Sequence, residues 1–176
     1  MDRALKVFWE RGFAATSYED LVSASGASRN GLYSEFGDKK SLFLVAIRRY
    51  RETFVAQLLS GLRADDVSAA DIREVVLGVA KMAGRPTKRR GCFLANAAMD
   101  QANCTASVQK AIRDHMEGMA AEFASAYERV GLSKKRSREL GNYCTGVLHG
   151  LFVLARAQAN TSMVEAFAAN AVKALP

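Results

Sequence analysis

The sequence predicts an all-α protein, and three observations support this prediction. Only two prolines occur in 176 residues, so few positions lack the backbone N–H that a helix interior needs. Apolar residues recur at intervals of three and four along most of the chain, which is the spacing of one helix face. No segment shows the sustained alternation of apolar and polar residues that is typical of a half-buried strand. We expect about nine helices.

Three short helices are predicted in the first forty residues, each bounded by a helix-ending glycine or a capping side chain. The first ends at Gly12, because glycine readily adopts the conformation that follows a helix. Thr16 and Glu19 have the spacing of a capping box and predict the start of the second helix, which ends at Gly26. Ser28 is a candidate N-cap for the third. Two short helices joined by a glycine-containing turn make a helix-turn-helix unit.

A longer amphipathic helix is predicted from Asp38 to about Leu62, and it links this unit to the rest of the chain. The pairs Ser68 with Asp71 and Ser162 with Glu165 again have capping-box spacing. The remaining helices are predicted at 68–83, 91–103, 105–130, 134–159 and 162–175. We therefore expect an N-terminal domain at 1–47, with the linking helix at about 38–62, and a larger helical domain at 48–176.

The net charge of +7 favours an anionic partner. Residues 1–50 hold eight Lys/Arg and six Asp/Glu, an excess of only +2. Most of the surplus lies in two clusters, 85–90 and 134–138, which we interpret as solvated segments.

Enzyme classes find little support in the sequence. A glycine-rich phosphate loop, a nucleophile elbow and the H-E-x-x-H motif are all missing. Two histidines and three cysteines leave little material for a metal centre. His115 and His149 have no partner at a metal-binding spacing. We expect no enzyme activity, no cofactor and no metal.

The cysteines indicate a reducing compartment. Cys92, Cys104 and Cys144 form no C-x-x-C pair and are odd in number, which does not suit a disulfide framework. The most apolar stretch, 147–155, is about half the length that a membrane span needs. No signal peptide is recognisable. A cytoplasmic protein with no membrane partner is expected.

The start of the third helix carries residues suited to reading DNA bases. In a helix-turn-helix the second helix of the pair enters the major groove. Ser28, Arg29 and Asn30 open that helix. Arg can pair with guanine O6/N7 and Asn with adenine N6/N7. Gly31 removes a side chain and would let the helix approach the DNA closely.

A second group of residues is suited to holding phosphates. Thr16, Ser17 and Tyr18 lie at the start of the second helix, where hydroxyls and backbone N–H groups bind anions. The hydroxyl of Tyr33 and the charge of Lys39 would reach further phosphates. Each residue also has a structural interpretation: Thr16 and Ser28 are caps in any case, and Tyr33 could simply pack.

Residues 4–47 closely resemble the DNA-binding domain of the TetR/AcrR family of bacterial transcriptional regulators. The matching landmarks are Phe8, Gly12-Phe13, Thr16-Ser17, Leu21, Gly26-Ala27-Ser28, Leu32-Tyr33, Phe36 and Lys39 through Leu42-Phe43. The resemblance implies a homodimer that binds double-stranded operator DNA of palindromic sequence. It implies a repressor that a small-molecule effector releases. The base-reading and phosphate-holding residues are then the DNA contacts.

The larger domain is expected to hold the effector in a pocket lined by apolar and aromatic side chains with few polar groups. Each candidate is equally compatible with plain core packing. The candidate lining residues are Phe93, Asn96, Met99, Met116, Phe123, Tyr127, His149 and Phe152.

The last two helices are expected to form the dimer interface. Gly146 and Gly150 lie four residues apart and would let two helices approach closely. The predicted apolar stripes are Val147, Leu151, Leu154 and Ala155 on one helix, and Val164, Phe167, Ala168, Ala171 and Leu175 on the other. Two helices from each subunit would make a four-helix interface. Alternatively, both helices bury these faces within one subunit.

Cys92 is a candidate sensor residue. It lies at a predicted helix N-terminus after Lys88, Arg89 and Arg90, where the helix dipole and the cations favour the reactive thiolate. The alternative function is thus a thiol-based redox or electrophile-sensing repressor. The plainer interpretation is a small, inert core thiol.

Overall fold

The computed structural model describes residues 1–85, 90–100 and 105–176, and all regular elements in these ranges are helical. This confirms the predicted all-α fold. The helices are α1 (Asp2–Arg11), α2 (Tyr18–Ser25), α3 (Arg29–Phe36), α4 (Lys39–Tyr50), α5 (Ala56–Leu58), α6 (Ala69–Ala83), α7 (Phe93–Met99), α8 (Ala106–Arg129), α9 (Lys134–Arg156) and α10 (Thr161–Lys173). Because α5 only continues α4, the described ranges contain nine separate helices, as predicted.

Capping side chains begin most of these helices. Ser28 accepts a hydrogen bond from the Gly31 N–H, and Asp38 accepts one from the Ser41 N–H, as the sequence predicts. The predicted capping box at the start of α6 is also confirmed, with Ser68 as its N-cap.

Two predicted caps are wrong by one or two residues. α2 begins after Ser17, whose side chain forms a capping box with Asp20, so Thr16 and Glu19 do not form it. Thr16 is buried instead, and its hydroxyl donates to the Gly12 carbonyl. α10 begins after Asn160, whose side-chain oxygen accepts from the Met163 N–H. Asn and Ser are both strong N-caps, and the extended backbone of the loop decides which one is used.

The linking helix is interrupted where one uniform helix over 38–62 was predicted. α4 passes into a π-helical turn at Arg51–Val55, α5 follows, and a 3-10 turn spans Ser60–Arg63. The Thr53 hydroxyl donates to the Arg49 carbonyl at 2.7 Å. A hydroxyl that bonds to a carbonyl one turn earlier competes with the helix hydrogen bonds and bends or loosens the helix.

The helix predicted at 91–103 is shorter in the structure. α7 ends at Met99, and the following residues 101–104, with Cys104, lie outside the described residues. Most of the basic cluster 85–90 also lies outside them. The second basic cluster, 134–138, opens α9 and is exposed except for Ser137.

The chain divides into two compact units. Unit 1 comprises Met1–Val55 and Phe93–Asp114, and unit 2 comprises Ala56–Cys92 and His115–Pro176. Unit 1 takes in more than residues 1–47 because of its aromatic core. The Phe93 ring lies 5.3 Å from the Phe43 ring and 5.7 Å from the Tyr50 ring, edge to face. The Asp100 carboxylate accepts from the Ala14 N–H at 3.2 Å.

Unit 2 is a bundle in which α6, α9 and α10 pack together and α8 lies against α9. Its core is aliphatic and aromatic, and α9 alone buries Leu140, Val147, Leu148, Leu151, Phe152 and Ala155. Gly141 permits the closest approach, since a Cβ there would lie 2.4 Å from the Ala120 carbonyl oxygen of α8. Within the described parts of the chain, the helices are all too short or too polar to cross a membrane.

Candidate nucleic-acid interface

The turn between α2 and α3 exposes the start of α3. Gly26 has a left-handed backbone, with φ of 74°, and its N–H donates to the Val22 carbonyl. Such a conformation is easy for glycine and strained for other residues. The chain then turns at Ser28 and leaves Arg29, Asn30 and Gly31 exposed on the first turn of α3. Ser28 is exposed as well. The predicted base-reading residues Ser28, Arg29 and Asn30 are therefore side by side and open to solvent, with Gly31 next to them.

Arg29 belongs to a stacked cluster that sequence reasoning missed. The rings of Tyr18 and Tyr33 stack with centroids 4.2 Å apart and an interplanar angle of 10°. The Arg29 guanidinium carbon lies 6.0 and 5.9 Å from the two ring centroids. One guanidinium nitrogen also pairs with the Glu19 carboxylate at 2.8 Å. This arrangement, the Tyr18–Tyr33–Arg29 cluster, joins predicted phosphate-holding residues to a predicted base-reading one.

The Tyr18 hydroxyl is oriented by the protein. It donates to the Gly37 carbonyl at 3.1 Å. Burial raises the pKa of Tyr18 above its ordinary value, so the hydroxyl stays protonated at neutral pH. Tyr33, by contrast, is 43% exposed, so its ring is open to a ligand.

The hydroxyls at the start of α2 are engaged within the protein. The Ser17 hydroxyl donates to Asp20 at 2.8 Å and accepts from the Asp20 N–H. Hydrogen bonds from the Ser17 backbone and hydroxyl lower the pKa of Asp20. The Thr16 hydroxyl likewise donates to the Gly12 carbonyl. Because phosphate oxygens only accept hydrogen bonds, each hydroxyl would have to give up its bond within the protein before it could donate to DNA.

Lys39 ties the start of α4 to the loop between α1 and α2. Its Nζ donates to the carbonyls of Phe13 and Thr16 at 3.0 and 2.9 Å and lies 4.3 Å from the Phe13 ring centroid. An ammonium group has three N–H donors. The predicted phosphate contact of Lys39 therefore depends on the third one.

The eight predicted effector-lining residues fall into both units. In unit 1, Phe93 is part of the aromatic core and Met99 is 86% exposed. In unit 2, three are buried and two are partly buried. The buried ones are Phe123, Tyr127 and Phe152, and the partly buried ones are Met116 and His149. The eighth residue, Asn96, is partly buried in unit 1.

Tyr127 is paired within the core of unit 2. Its hydroxyl lies 3.7 Å from the Cys144 Sγ. Burial raises the pKa of Tyr127, and it raises the pKa of Cys144 to about 11. Both groups therefore stay neutral in the core.

A groove of about 430 Å³ lies on unit 2 between α6 and α10. Its lining is mainly apolar and contains none of the eight predicted effector residues. The lining residues are Leu77, Ala80, Lys81, Gly84, Arg85, Thr161, Glu165, Ala168 and Ala169.

The apolar stripes predicted for the dimer interface are mostly core. Val147, Leu151, Ala155, Val164, Ala168, Ala171 and Leu175 are all buried within the single chain. Of the predicted stripe residues, Leu154 is partly buried and Phe167 is exposed. Phe167 shares an exposed face of α9 and α10 with Val153 and Met163. Val153 is 60%, Met163 53% and Phe167 39% exposed. A Cβ on Gly150 would lie 3.1 Å from the Phe167 ring, so Gly150 makes room for that ring on the outer face.

Cys92 is brought together with the two histidines, although no spacing in the sequence indicates this. Its Sγ lies 3.6 Å from the His115 Nε2, and both residues are buried. The ligand atoms of Cys92, His115 and His149 all lie within 4.8 Å of one another. Burial lowers the pKa of His149, so its ring is neutral at pH 7.

Comparisons with known proteins match both parts of the chain. The family model for bacterial regulatory proteins of the tetR family matches residues 1–46. The model for the C-terminal domain of LmrA/YxaF-like transcriptional regulators matches residues 68–170.

Two curated relatives align over more than half of this chain. The HTH-type transcriptional repressor ComR of Escherichia coli is 34% identical over 60% of this chain and 48% of its own length. The uncharacterized HTH-type transcriptional regulator YezE of Bacillus subtilis is 33% identical over 57% of this chain and 52% of its own. The chain thus spans about half the length of the curated relatives it matches.

A solved structure shares the fold over nearly the whole chain. It is a cysteine mutant of the TetR family transcriptional regulator CifR, complexed with 26-base-pair operator DNA. It superposes with a TM-score of 0.83 and 23% identity over 99% of this chain and 93% of that one.

Proposed function

This chain belongs to the TetR family of bacterial regulatory proteins, and from this premise we propose that it is a DNA-binding transcriptional regulator. The match of the family model to residues 1–46 carries the proposal, because α1, α2 and α3 lie within these residues. The exposed start of α3 supports it, since Arg29 and Asn30 are the residue types that read purine edges in the major groove. Its named relative ComR is a repressor, and we propose repression here as well.

The proposed DNA contacts lie at the start of α2, on α3 and at the start of α4. Ser28, Arg29, Asn30 and Gly31 face the bases, and Tyr33 holds a phosphate. Ser17, Tyr18 and Lys39 make the remaining contacts and position the start of α2 on the backbone. Thr16, which was also predicted as a contact, is buried and supports this helix start through its hydrogen bond to Gly12. DNA binding would also place the protein in the cytoplasm.

The regulator is proposed to be a homodimer that reads a palindrome. Two reading heads on a two-fold axis bind half-sites about 34–36 Å apart, or a multiple of this spacing. The exposed outer face of α9 and α10, with Val153, Met163 and Phe167, supports pairing through the last two helices. A small-molecule effector would bind the larger domain at 48–176 and shift the population toward a dimer that cannot span both half-sites.

The proposed function is tested by selecting bound sequences from a random duplex pool with the purified protein at a stated salt concentration. We expect a two-fold-symmetric site to be enriched, and its half-site spacing gives the geometry of the dimer. If binding were weak, salt-dependent and without sequence preference, the proposal would be overturned.

The burial of Cys92 argues against the thiol-sensing alternative. Cys92 is only 1% exposed, so an electrophile could not reach its sulfur without local opening of unit 2. Reactive sensor cysteines are usually partly exposed. We therefore favour a different role for this residue.

A further inference from the structure

Cys92, His115 and His149 form a compact set of metal-ligating side chains in unit 2. Cys92 directly precedes α7, His115 lies on α8, and His149 lies on α9. A metal about 2.3 Å from a sulfur and about 2.0 Å from a nitrogen holds these two atoms about 3.5–3.7 Å apart. The Cys92 Sγ and the His115 Nε2 are 3.6 Å apart. This pair therefore already has the separation that a shared metal ion requires.

The tautomer of His149 is set by its neighbour in the same helix. The Nδ1 lies 2.7 Å from the Thr145 carbonyl oxygen. Because a carbonyl only accepts, Nδ1 carries the proton and Nε2 carries the lone pair. Metal-binding histidines commonly donate their other N–H to a carbonyl in this way, which orients the ring.

The His149 Nε2 is also a polar atom whose hydrogen-bonding capacity is not used within the described residues. It is buried and makes no hydrogen bond within the part of the chain that the structure describes. A buried acceptor left without a bond costs about 1–3 kcal/mol. Since it lies within 4.8 Å of the other two ligand atoms, a metal ion would satisfy it after a small side-chain movement.

The donor set selects the kind of ion. Among the described residues the group contains one sulfur and two imidazole nitrogens and no carboxylate. Thiolate ligands favour Cu⁺ and Zn²⁺ over the hard cations that carboxylates bind. A site with one thiolate and one Cu⁺ has no net charge, whereas the same site with Zn²⁺ has a buried positive charge. These three residues also leave Zn²⁺ without the fourth ligand that it prefers.

We propose that Cys92, His115 and His149 bind one Cu⁺ ion in unit 2. The thiol of Cys92 releases its proton to solvent on binding, and no electron is transferred. The site requires no residue from another copy of the chain.

The chain positions of the ligands connect the site to the proposed function. Cys92 is the last residue of unit 2 before the chain enters the unit 1 segment Phe93–Asp114, and His115 is the residue at which it returns. A metal that holds Cys92 and His115 together restrains both ends of that segment. We infer from this restraint that Cu⁺ is the effector that lowers operator affinity. This step rests on the proposed function.

Metal binding is measured first, without DNA. The full-length protein is titrated anaerobically with Cu⁺ in competition with a chromophoric Cu⁺ chelator, and in parallel with Zn²⁺. We expect one Cu⁺ per chain, bound more tightly than Zn²⁺, with one sulfur and two nitrogen donors in the X-ray absorption spectrum. Tighter Zn²⁺ binding, or a spectrum without sulfur, overturns the proposal.

Variants locate the site. Cys92→Ser and His149→Gln should each weaken Cu⁺ binding by about 100-fold or more. Loss of a residue that only supports a ligand would weaken binding less, by about 10–100-fold. Cys144→Ser is the matched control, because Cys144 is equally buried but its thiol pairs with the Tyr127 hydroxyl and lies outside the proposed site. Circular dichroism confirms that each variant is folded. Undiminished binding by folded Cys92→Ser protein overturns the proposal.

The effector role is measured on the operator selected with metal-free protein. Cu⁺ should weaken binding at least tenfold for the wild type and for Cys144→Ser, and leave Cys92→Ser unchanged. Unchanged operator affinity with Cu⁺ bound overturns the effector role. If no operator is enriched with or without Cu⁺, the proposed function fails and the effector role falls with it, while the chelator titration still decides whether the site exists.

Discussion

Arg29 combines two roles at the residue scale, since it is both a base-reading candidate and part of a stacked cluster. The cation–π contacts with Tyr18 and Tyr33 and the ion pair with Glu19 hold the guanidinium at the exposed start of α3. A planar guanidinium held in this way loses less conformational entropy when it forms a bidentate contact.

Replacing this side chain should relax sequence preference. Arg29→Ala should cost about 1–3 kcal/mol in operator binding and remove discrimination at one base pair of each half-site. The measurement is a binding titration against the selected operator and its single-base variants. Arg138→Ala, an exposed change on α9, is the control and should behave as the wild type. Retention of full sequence preference by Arg29→Ala would contradict the assigned role.

Lys39 has a structural role besides its predicted phosphate contact. Its ammonium bonds to the carbonyls of Phe13 and Thr16 and lies over the Phe13 ring. Lys39→Met keeps the aliphatic stem but leaves these carbonyls without their charged donor. We expect a loss of about 1–3 kcal/mol in unfolding free energy, measured with urea. The neighbouring Lys40→Met should change it by less than about 0.5 kcal/mol. Equal stabilities would show that the two hydrogen bonds contribute little.

At the scale of elements, the contact of α8 with α9 depends on a missing side chain. A Cβ at Gly141 would lie 2.4 Å from the Ala120 carbonyl oxygen and 3.1 Å from the Ala124 nitrogen. Both are backbone atoms of α8, so the clash cannot be relieved by a rotamer change. The two helices would have to move apart, which loosens the packing of unit 2.

Gly141→Ala should therefore lower the unfolding free energy by about 1–3 kcal/mol. Gly78 in α6 is the matched control, because a Cβ there meets no atom within 4 Å. Gly78→Ala should raise the stability by about 0.5–1 kcal/mol, since alanine favours the helix. Thermal and urea unfolding of the two variants distinguish these effects. Stabilisation by both changes would contradict the close approach.

At the scale of the whole molecule, the exposed apolar face of α9 and α10 is what a homodimer would bury. Phe167 packs against Gly150 on this face and is 39% exposed. Burying an aromatic side chain contributes strongly to association, and a charge at its position would have to be desolvated.

Phe167→Glu should convert the protein to a monomer, as measured by sedimentation at micromolar concentration. The half-site affinity should persist while affinity for the palindrome drops, because two linked heads bind more tightly than one. Met99→Glu is the control, since Met99 is 86% exposed in unit 1 and lies far along the chain from this face. If the Phe167→Glu protein remained a dimer with wild-type affinity for the palindrome, the dimer interface would have to lie elsewhere.

Local features of the fold were predictable because they depend on neighbouring residues. The all-α class follows from the spacing of apolar residues, and Ser28, Asp38 and Ser68 cap helices as their types predict. Ser17 was missed because Thr16 with Glu19 offers the same spacing one residue earlier. Only the burial of Thr16 in the α1–α2 loop decides between them.

The sequence by itself determined the helical class, the helix-turn-helix and the residue types at the start of α3, since short-range periodicity and capping specify them. Tertiary structure decided which stripe of α9 and α10 is core, because both faces carry apolar residues and only packing against α6 distinguishes them. It also decided that Cys92, His115 and His149 meet, although 22 and 33 residues separate them. Contacts between helices depend on how whole faces fit together, and no local spacing records that fit.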